Sequence, residues 1–179
     1  KSYELLADPK ASRFSGYRAM QLRALVSELR NVCAHPRLGG SDGKTTVSSG
    51  INSEEDLDRE LATSEKLQVF DRLLQAENKR GRRVAVFAHS SEVLAILGDC
   101  TGIRFGKDSY VSINSTTPSL DCHKAITTFN AAGSDASFIL MHPNACGLGT
   151  SLERLDSVIF FDSDWSVASD VIAMYRARK

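Results

Sequence analysis

The sequence predicts an α/β fold, in which a parallel β-sheet is covered by helices on both faces. From residue 83 onward, short apolar runs alternate with segments of helical periodicity. The apolar runs are continuous, whereas strands with one solvated face alternate between apolar and polar residues. Continuous runs are typical of strands buried on both faces, and their alternation with helices favours parallel pairing.

Composition limits the function classes. The chain has 179 residues and 42% hydrophobic residues, enough for one domain or one domain with a helical extension. Its 22 basic and 22 acidic residues cancel, which argues against a strongly basic nucleic-acid-binding protein. No apolar run reaches membrane-spanning length, so no membrane partner is expected. The first residues do not resemble a signal peptide, and the chain is expected to begin inside a larger protein.

We divide the chain into a helical extension (1–38), a loop or insert (39–63) and the α/β lobe (64–179). The periodicity predicts a helix over Arg18–Cys33 that is ended by Pro36. Its apolar residues recur at helical spacing and predict a buried face: Leu22, Leu25, Val26, Leu29 and Cys33. The insert is rich in Gly, Ser and acidic residues, and its part from Ser53 to Glu60 is expected to form a short helix.

The lobe begins with a helix capped by Ser64 and stopped by Gly81. Its predicted buried face comprises Leu67, Phe70, Leu73 and Leu74. The predicted strands are Arg83–Ala88, Tyr110–Ile113, Ser137–Met141 and Val158–Phe161. The predicted helices between and after them are Ser90–Cys100, Pro118–Ala131 and Val167–Arg176. The predicted core is Val84, Val86, Phe87, Leu94, Leu97, Ile126, Phe129, Ile139, Leu140, Val158, Ile159 and Phe160.

Polar turns follow all four predicted strands: His89–Ser91, Asn114–Thr117, His142–Gly149 and Asp162–Trp165. In a parallel sheet these turns lie along one edge, where such folds place their functional residues. The four cysteines and four histidines lack metal-ligand spacing, so we expect free thiols, no metal site and no resident cofactor.

Six segments in order resemble the second RecA-like lobe of Swi/Snf-type chromatin-remodelling ATPases. They are Arg30–Leu38 (RNVCAHPRL), Ser64–Leu67 (SEKL), Arg83–Leu97, Ile126–Asp135 (ITTFNAAGSD), Cys146–Leu152 (CGLGTSL) and Val158–Trp165 (VIFFDSDW). The sequences of these motifs are most similar to those of the chromodomain-helicase branch. Plant silencing proteins with a partial ATPase domain of this branch are also similar. The resemblance implies the RecA-like fold and a nuclear location.

At several positions this chain differs from the motifs of the family that it resembles. An acid-glycine pair of the family corresponds to Asn114 and Ser115, and an arginine that follows corresponds to Cys122. A second arginine becomes Asn144, and a glycine becomes Cys146. In the last family motif, Q-x-x-x-R-x-x-R, Ile172 replaces the glutamine, Arg176 is kept and Lys179 replaces the second arginine.

These departures predict a catalytically degenerate lobe that is not itself an enzyme, unless a first lobe exists elsewhere. No phosphate-binding G-x-x-x-x-G-K-[ST] loop occurs in the sequence, and no D-E-x-H magnesium motif. Vestigial ATP-site candidates are Gly147, Gly149, Arg176 and Lys179. Alternatively, the glycines form a helix-packing turn, and the basic end stabilises a helix C-terminus. The turn at Asp162–Asp164 is expected to cap the final helix.

Three functions remain open. The first is a scaffold that binds a chromatin protein, or another domain of its own chain, in transcriptional silencing. Its predicted contact face is Leu22, Leu25 and Leu29, unless these residues pack on the lobe itself. The second is the C-terminal lobe of an active remodeller. The third is weak, non-specific DNA binding along the residues His89, Ser115, Thr116, His142 and Asn144.

Overall fold

The computed structural model describes residues 15–39, 51–146, 151–163 and 167–177. Its four strands are β1 (Val84–Phe87), β2 (Tyr110–Ile113), β3 (Phe138–Met141) and β4 (Ser157–Phe160). They form one sheet in the order β2-β3-β1-β4, and every neighbouring pair is parallel. The predicted α/β fold with a parallel sheet is therefore confirmed.

The α-helices are α1 (Ser15–Ala34), α2 (Glu54–Thr63), α3 (Glu65–Lys79), α4 (Ser91–Phe105), α5 (Ser119–Asn130) and α6 (Val167–Arg176). Short 3₁₀ turns cover Pro36–Gly39 and Lys107–Ser109. Serine hydroxyls cap three helices by accepting a backbone N–H of the first turn: Ser53 for α2, Ser64 for α3 and Ser90 for α4. The predicted cap at Ser64 is thus confirmed.

Two hydrophobic cores lie on the two faces of the sheet. Along β1, Val84 and Val86 face the first core, whereas Ala85 and Phe87 face the second. The first core contains side chains of α2, α3 and α4, and the second contains Cys122, Ile126 and Phe129 of α5 with Ala173 of α6. Successive strand residues point to opposite faces, so helices cover the sheet on both sides, as predicted.

Most of the predicted core is buried, but the prediction is wrong for β4, and the predicted buried face of α3 is wrong at Leu73. Val158 is 36% exposed, and Ile159 and Phe160 are only partly buried. Among the described strands β4 lies at the sheet edge, so its side chains have strand neighbours on one side only. Leu73 is 45% exposed although its neighbour Leu74 is buried, because adjacent residues on a helix point about 100° apart.

The loop predicted before the lobe is helical in its second half. Residues Glu54–Thr63 form α2, which packs on α3 and α4 and buries Leu57 completely. The short helix expected over Ser53–Glu60 is therefore confirmed and extended, because Leu57 reaches the first core. Residues 40–50 of the predicted insert lie outside the described residues, and the three-part division stays a prediction.

The buried face predicted for α1 is wrong. Leu22, Leu25, Val26 and Leu29 are 36–56% exposed, and Cys33 is exposed as well. Full burial begins only where the helix ends, at Ala34 and His35. The His35 imidazole lies 3.3 Å from the Glu60 carboxylate of α2 without the alignment of a hydrogen bond. Burial lowers the pKa of His35 from its ordinary value, although the nearby Glu60 carboxylate acts in the opposite direction.

Candidate functional site at the carboxyl edge of the sheet

The four polar turns start at one edge of the sheet. Phe87 at the end of β1 is in register with Met141 of β3 and Phe160 of β4, and Met141 is in register with Ile113 of β2. Because all four strands are parallel, the residues that follow them emerge side by side. The gathering of the turns that the sequence predicted is therefore observed for their described residues.

Two histidines meet between the ends of β1 and β3. The rings of His89 and His142 lie edge to face, with centroids 5.7 Å apart. His89 Nε2 is 3.3 Å from Asp170 Oδ1 in the first turn of α6. His142 Nδ1 accepts the backbone N–H of Asn144 at 3.1 Å, which fixes the loop after β3. These histidines connect the ends of β1 and β3 with the first turn of α6. Asn144, in the loop after β3, is exposed to solvent.

Asp162 connects the ends of β1 and β4. Its Oδ1 accepts the backbone N–H of His89 at 2.9 Å. Its Oδ2 is buried and has no hydrogen-bond partner among the described residues. The sequence predicted that this acidic turn caps the final helix. For Asp162 the structure shows instead a hydrogen bond from the backbone of His89. Asp164 lies outside the described residues.

The turn after β2 is organised by Asn114. Its side-chain oxygen accepts the Thr116 N–H at 3.0 Å and the hydroxyls of Thr116 and Thr117 at 2.9 Å each. Thr117 Oγ1 in turn accepts the Asn114 N–H at 3.0 Å. Asx turns of this kind hold a loop rigidly. As a result, Ser115 and Thr116 are exposed at a fixed position on the edge.

Arg176 at the end of α6 is bound to the loop that follows β3. Its guanidinium donates to the carbonyl oxygens of Ala145 and Cys146, the latter at 2.6 Å. Partial burial lowers its pKa, although a guanidinium stays charged at any physiological pH. Two of its five N–H donors are accounted for by these carbonyls, and the group is held in one orientation at the site edge.

The structure brings together some of the predicted site residues. His89, His142 and Asn144 belong to one contact network, and Ser115 and Thr116 lie beyond it at the end of β2. Arg176 contacts the same loop that carries His142 and Asn144. Gly147, Gly149 and Lys179 lie outside the described residues. Leu22, Leu25 and Leu29 belong to α1, which is not one of the elements that form this edge.

Sequence reasoning missed Asp170 as a partner of His89 and the carbonyls that hold Arg176. Asp170 follows His89 by 81 residues, and no local spacing signals such a contact.

Within the described part of the chain, no three His, Cys, Asp or Glu side chains are grouped as metal ligands. No helix in that part is both long and apolar enough to span a membrane.

Comparison with known proteins gives the family context. The model of the helicase conserved C-terminal domain matches residues 65–179. Protein CHROMATIN REMODELING 4 of Arabidopsis thaliana is 31% identical over 100% of this chain and 8% of its own length. The ISWI chromatin-remodeling complex ATPase ISW1 of Saccharomyces cerevisiae is 34% identical over 89% of this chain and 13% of its own length. The crystal structure of the C-terminal part of the Fun30 ATPase domain superposes with a TM-score of 0.60 at 23% identity. It covers 67% of this chain and 38% of that chain, and at this identity it supports the fold alone.

These findings confirm the resemblance to Swi/Snf-type remodelling ATPases and correct one expectation. The chain spans about a tenth of the length of the relatives it matches. Those relatives include a protein named as a remodelling-complex ATPase, which is an enzyme. The prediction of a lobe that is not itself an enzyme, unless a first lobe exists elsewhere, is therefore contradicted by these relatives.

Proposed function

We propose that this chain, which belongs to the helicase conserved C-terminal domain family, serves as the second lobe of an ATP-dependent chromatin-remodelling motor. In this function the lobe contributes charge and a DNA-facing edge to a site completed by a first lobe. ATP is then a substrate held between the lobes. Chromatin as the substrate implies a nuclear location.

The observation that carries this proposal is the position of Arg176. Phosphoryl transfer is catalysed mainly by positioning and by positive charge at the transferring phosphate. A planar guanidinium fits this task best when neighbouring groups hold it in place. The carbonyls of Ala145 and Cys146 hold the Arg176 guanidinium here through two of its five N–H donors. Three N–H donors remain for a phosphate.

Replacement of Arg176 by alanine is expected to lower DNA-stimulated ATP hydrolysis by the full-length protein about 100-fold or more, since one charge-stabilising donor is worth roughly 10²–10³ in rate. The measurement is steady-state phosphate release with and without DNA. Arg154→Ala is the control, because Arg154 is an exposed arginine in the turn before β4. A wild-type rate in Arg176→Ala would refute the proposal.

The DNA-facing edge is proposed to comprise His89, Ser115, Thr116, His142 and Asn144. These residues are polar and follow three strands at one edge. Because the chain has zero net charge, DNA binding by this lobe is expected to be weak, non-specific and sensitive to salt. Fluorescence anisotropy at two salt concentrations measures it, and salt-resistant, sequence-dependent binding would contradict it.

A protein-interaction function is the second candidate, as for a scaffold in transcriptional silencing. The observation in its favour is the exposed apolar face of α1. The exposed residues recur at helical spacing on one side of the helix: Leu22, Leu25, Val26, Leu29 and Val32. Contiguous apolar surface of this kind typically marks a contact with another protein or domain. The partner is proposed to be a chromatin-associated protein or another domain of the same chain.

Charge substitutions at this face test the candidate. Leu22→Glu and Leu29→Glu are expected to leave the melting temperature within about 2 °C of wild type, since surface substitutions change stability by less than ~0.5 kcal/mol. The same variants are expected to lose binding to partners recovered with the wild-type protein. A large drop in melting temperature would show instead that the face is packed on the lobe.

A further inference from the structure

The helix α6, which ends at Arg176, has little apolar contact with the rest of the lobe. Among its described side chains only Ala173 is fully buried, and alanine offers a single methyl group to the second core. Its larger apolar side chains are 37–72% exposed: Val167, Val171, Ile172, Met174 and Tyr175. Because hydrophobic stabilisation scales with the apolar area removed from water, this packing holds the helix only weakly. Its position therefore depends on polar contacts.

The first polar contact is made by Asp170, in the first turn of α6. His89 Nε2 lies 3.3 Å from Asp170 Oδ1. An ionised carboxylate can only accept a hydrogen bond, so the ring donates through Nε2. The His89 side chain is 4% exposed and the Asp170 side chain 21%. Loss of either partner would leave a buried polar group without a hydrogen bond, so this contact is costly to break.

His89 is itself held in place from two sides. Its backbone N–H donates to Asp162 Oδ1 at 2.9 Å, which ties it to the end of β4. Its ring lies edge to face against the ring of His142, with centroids 5.7 Å apart. The imidazole is thus a fixed, buried donor that defines where the Asp170 carboxylate lies.

The second polar contact is at the other end of α6. The Arg176 guanidinium donates to the carbonyl oxygens of Ala145 and Cys146, the latter at 2.6 Å. The loop that carries these carbonyls starts at His142, whose ring contacts that of His89. The helix has 10 residues and spans about 15 Å. Because a helix of this length is rigid, a displacement of its first turn moves the guanidinium at its last turn.

We infer that Asp170 and His89 are positioning residues for Arg176. Their contact fixes the first turn of α6 at the carboxyl edge of the sheet, and the helix then places the guanidinium on the two loop carbonyls. This inference rests on the proposed function, because it assigns both residues a role in ATP hydrolysis through Arg176. Their removal should therefore slow hydrolysis only while Arg176 is present.

The experiment measures ATP hydrolysis by the full-length protein at saturating ATP and DNA. Asp170→Ala and His89→Leu are each expected to lower kcat about 10-fold, because a small misplacement of a reacting or stabilising group is costly. In an Arg176→Ala background the same substitutions are expected to change kcat less than about 2-fold, since residues that act through one group are not additive. Saturating DNA separates this effect from a weaker DNA contact by His89.

Two further variants act as controls. His89→Gln keeps an N–H donor near the position of Nε2, and its kcat is expected to be within about 3-fold of wild type. Asp121→Ala removes an acidic residue from the first turn of α5, where the side chain is 56% exposed. It tests the loss of a charge at a helix N-terminus without loss of a buried contact, and a wild-type kcat is expected.

Hydrogen exchange followed by mass spectrometry gives a readout without ATP. Asp170→Ala is expected to speed exchange in 167–177 and 142–146 and to leave β1 and β3 unchanged. A wild-type kcat in Asp170→Ala, with Arg176→Ala strongly impaired, would overturn this inference and leave the proposed function intact. Equal losses with and without Arg176 would also overturn it, because they would indicate a general loss of folding. A wild-type rate in Arg176→Ala would refute the proposed function and this inference with it.

Discussion

Replacement of Leu57 by alanine is expected to lower the free energy of unfolding by about 2–5 kcal/mol, the usual cost of truncating a fully buried leucine. Leu57 lies on α2, has no exposed surface and packs in the first core. The lost free energy has two parts. One is the hydrophobic burial of the removed carbon atoms, and the other is the cost of the cavity left behind. Urea unfolding monitored by circular dichroism measures the change.

Leu73→Ala is the control for Leu57→Ala. Leu73 lies on α3 but is 45% exposed, so its truncation is expected to cost less than about 1 kcal/mol. Equal effects of the two substitutions would mean that α2 does not fold cooperatively with the lobe. That outcome would indicate that residues 54–63 behave as the loop that their acidic composition predicted.

Loss of the Arg104 guanidinium is expected to destabilise the lobe by about 2–4 kcal/mol, because it leaves a buried carboxylate without its cation. Arg104 of α4 contacts Asp71 of α3 through two hydrogen bonds, at 3.1 and 3.3 Å. Asp71 is buried, and Gln75 supplies only one further donor, at 2.7 Å. Arg104→Met keeps the apolar stem and isolates the charge effect.

Lys124→Met provides the comparison for Arg104→Met. Lys124 contacts Asp121 at 3.1 Å, but both side chains are more than half exposed. An exposed pair of this kind contributes roughly 0–1 kcal/mol. A second test combines Arg104→Met with Asp71→Asn, which is expected to recover part of the loss because no buried charge remains. If Arg104→Met were no worse than Lys124→Met, the α3–α4 contact would not contribute to stability.

The sequence determined the elements of the lobe because their signals are local. The apolar runs at 84–87 and 138–141 are typical of buried strands. The side chain of Ser64 accepts one of the free N–H groups at the start of the helix that follows. The order of several short motifs along the chain identified the family, although each motif alone is weak. The parallel register then followed from the alternation of strands and helices.

The tertiary structure alone decided which apolar residues are covered and which polar residues meet. Periodicity places Leu22 and Leu29 of α1 on one helix face, yet it cannot say whether another element packs there. The contact of His89 with Asp170 and the placement of Arg176 on the Cys146 carbonyl join residues that are 81 and 30 positions apart. Such contacts depend on how helices dock on the sheet, and no local spacing in the sequence records that docking.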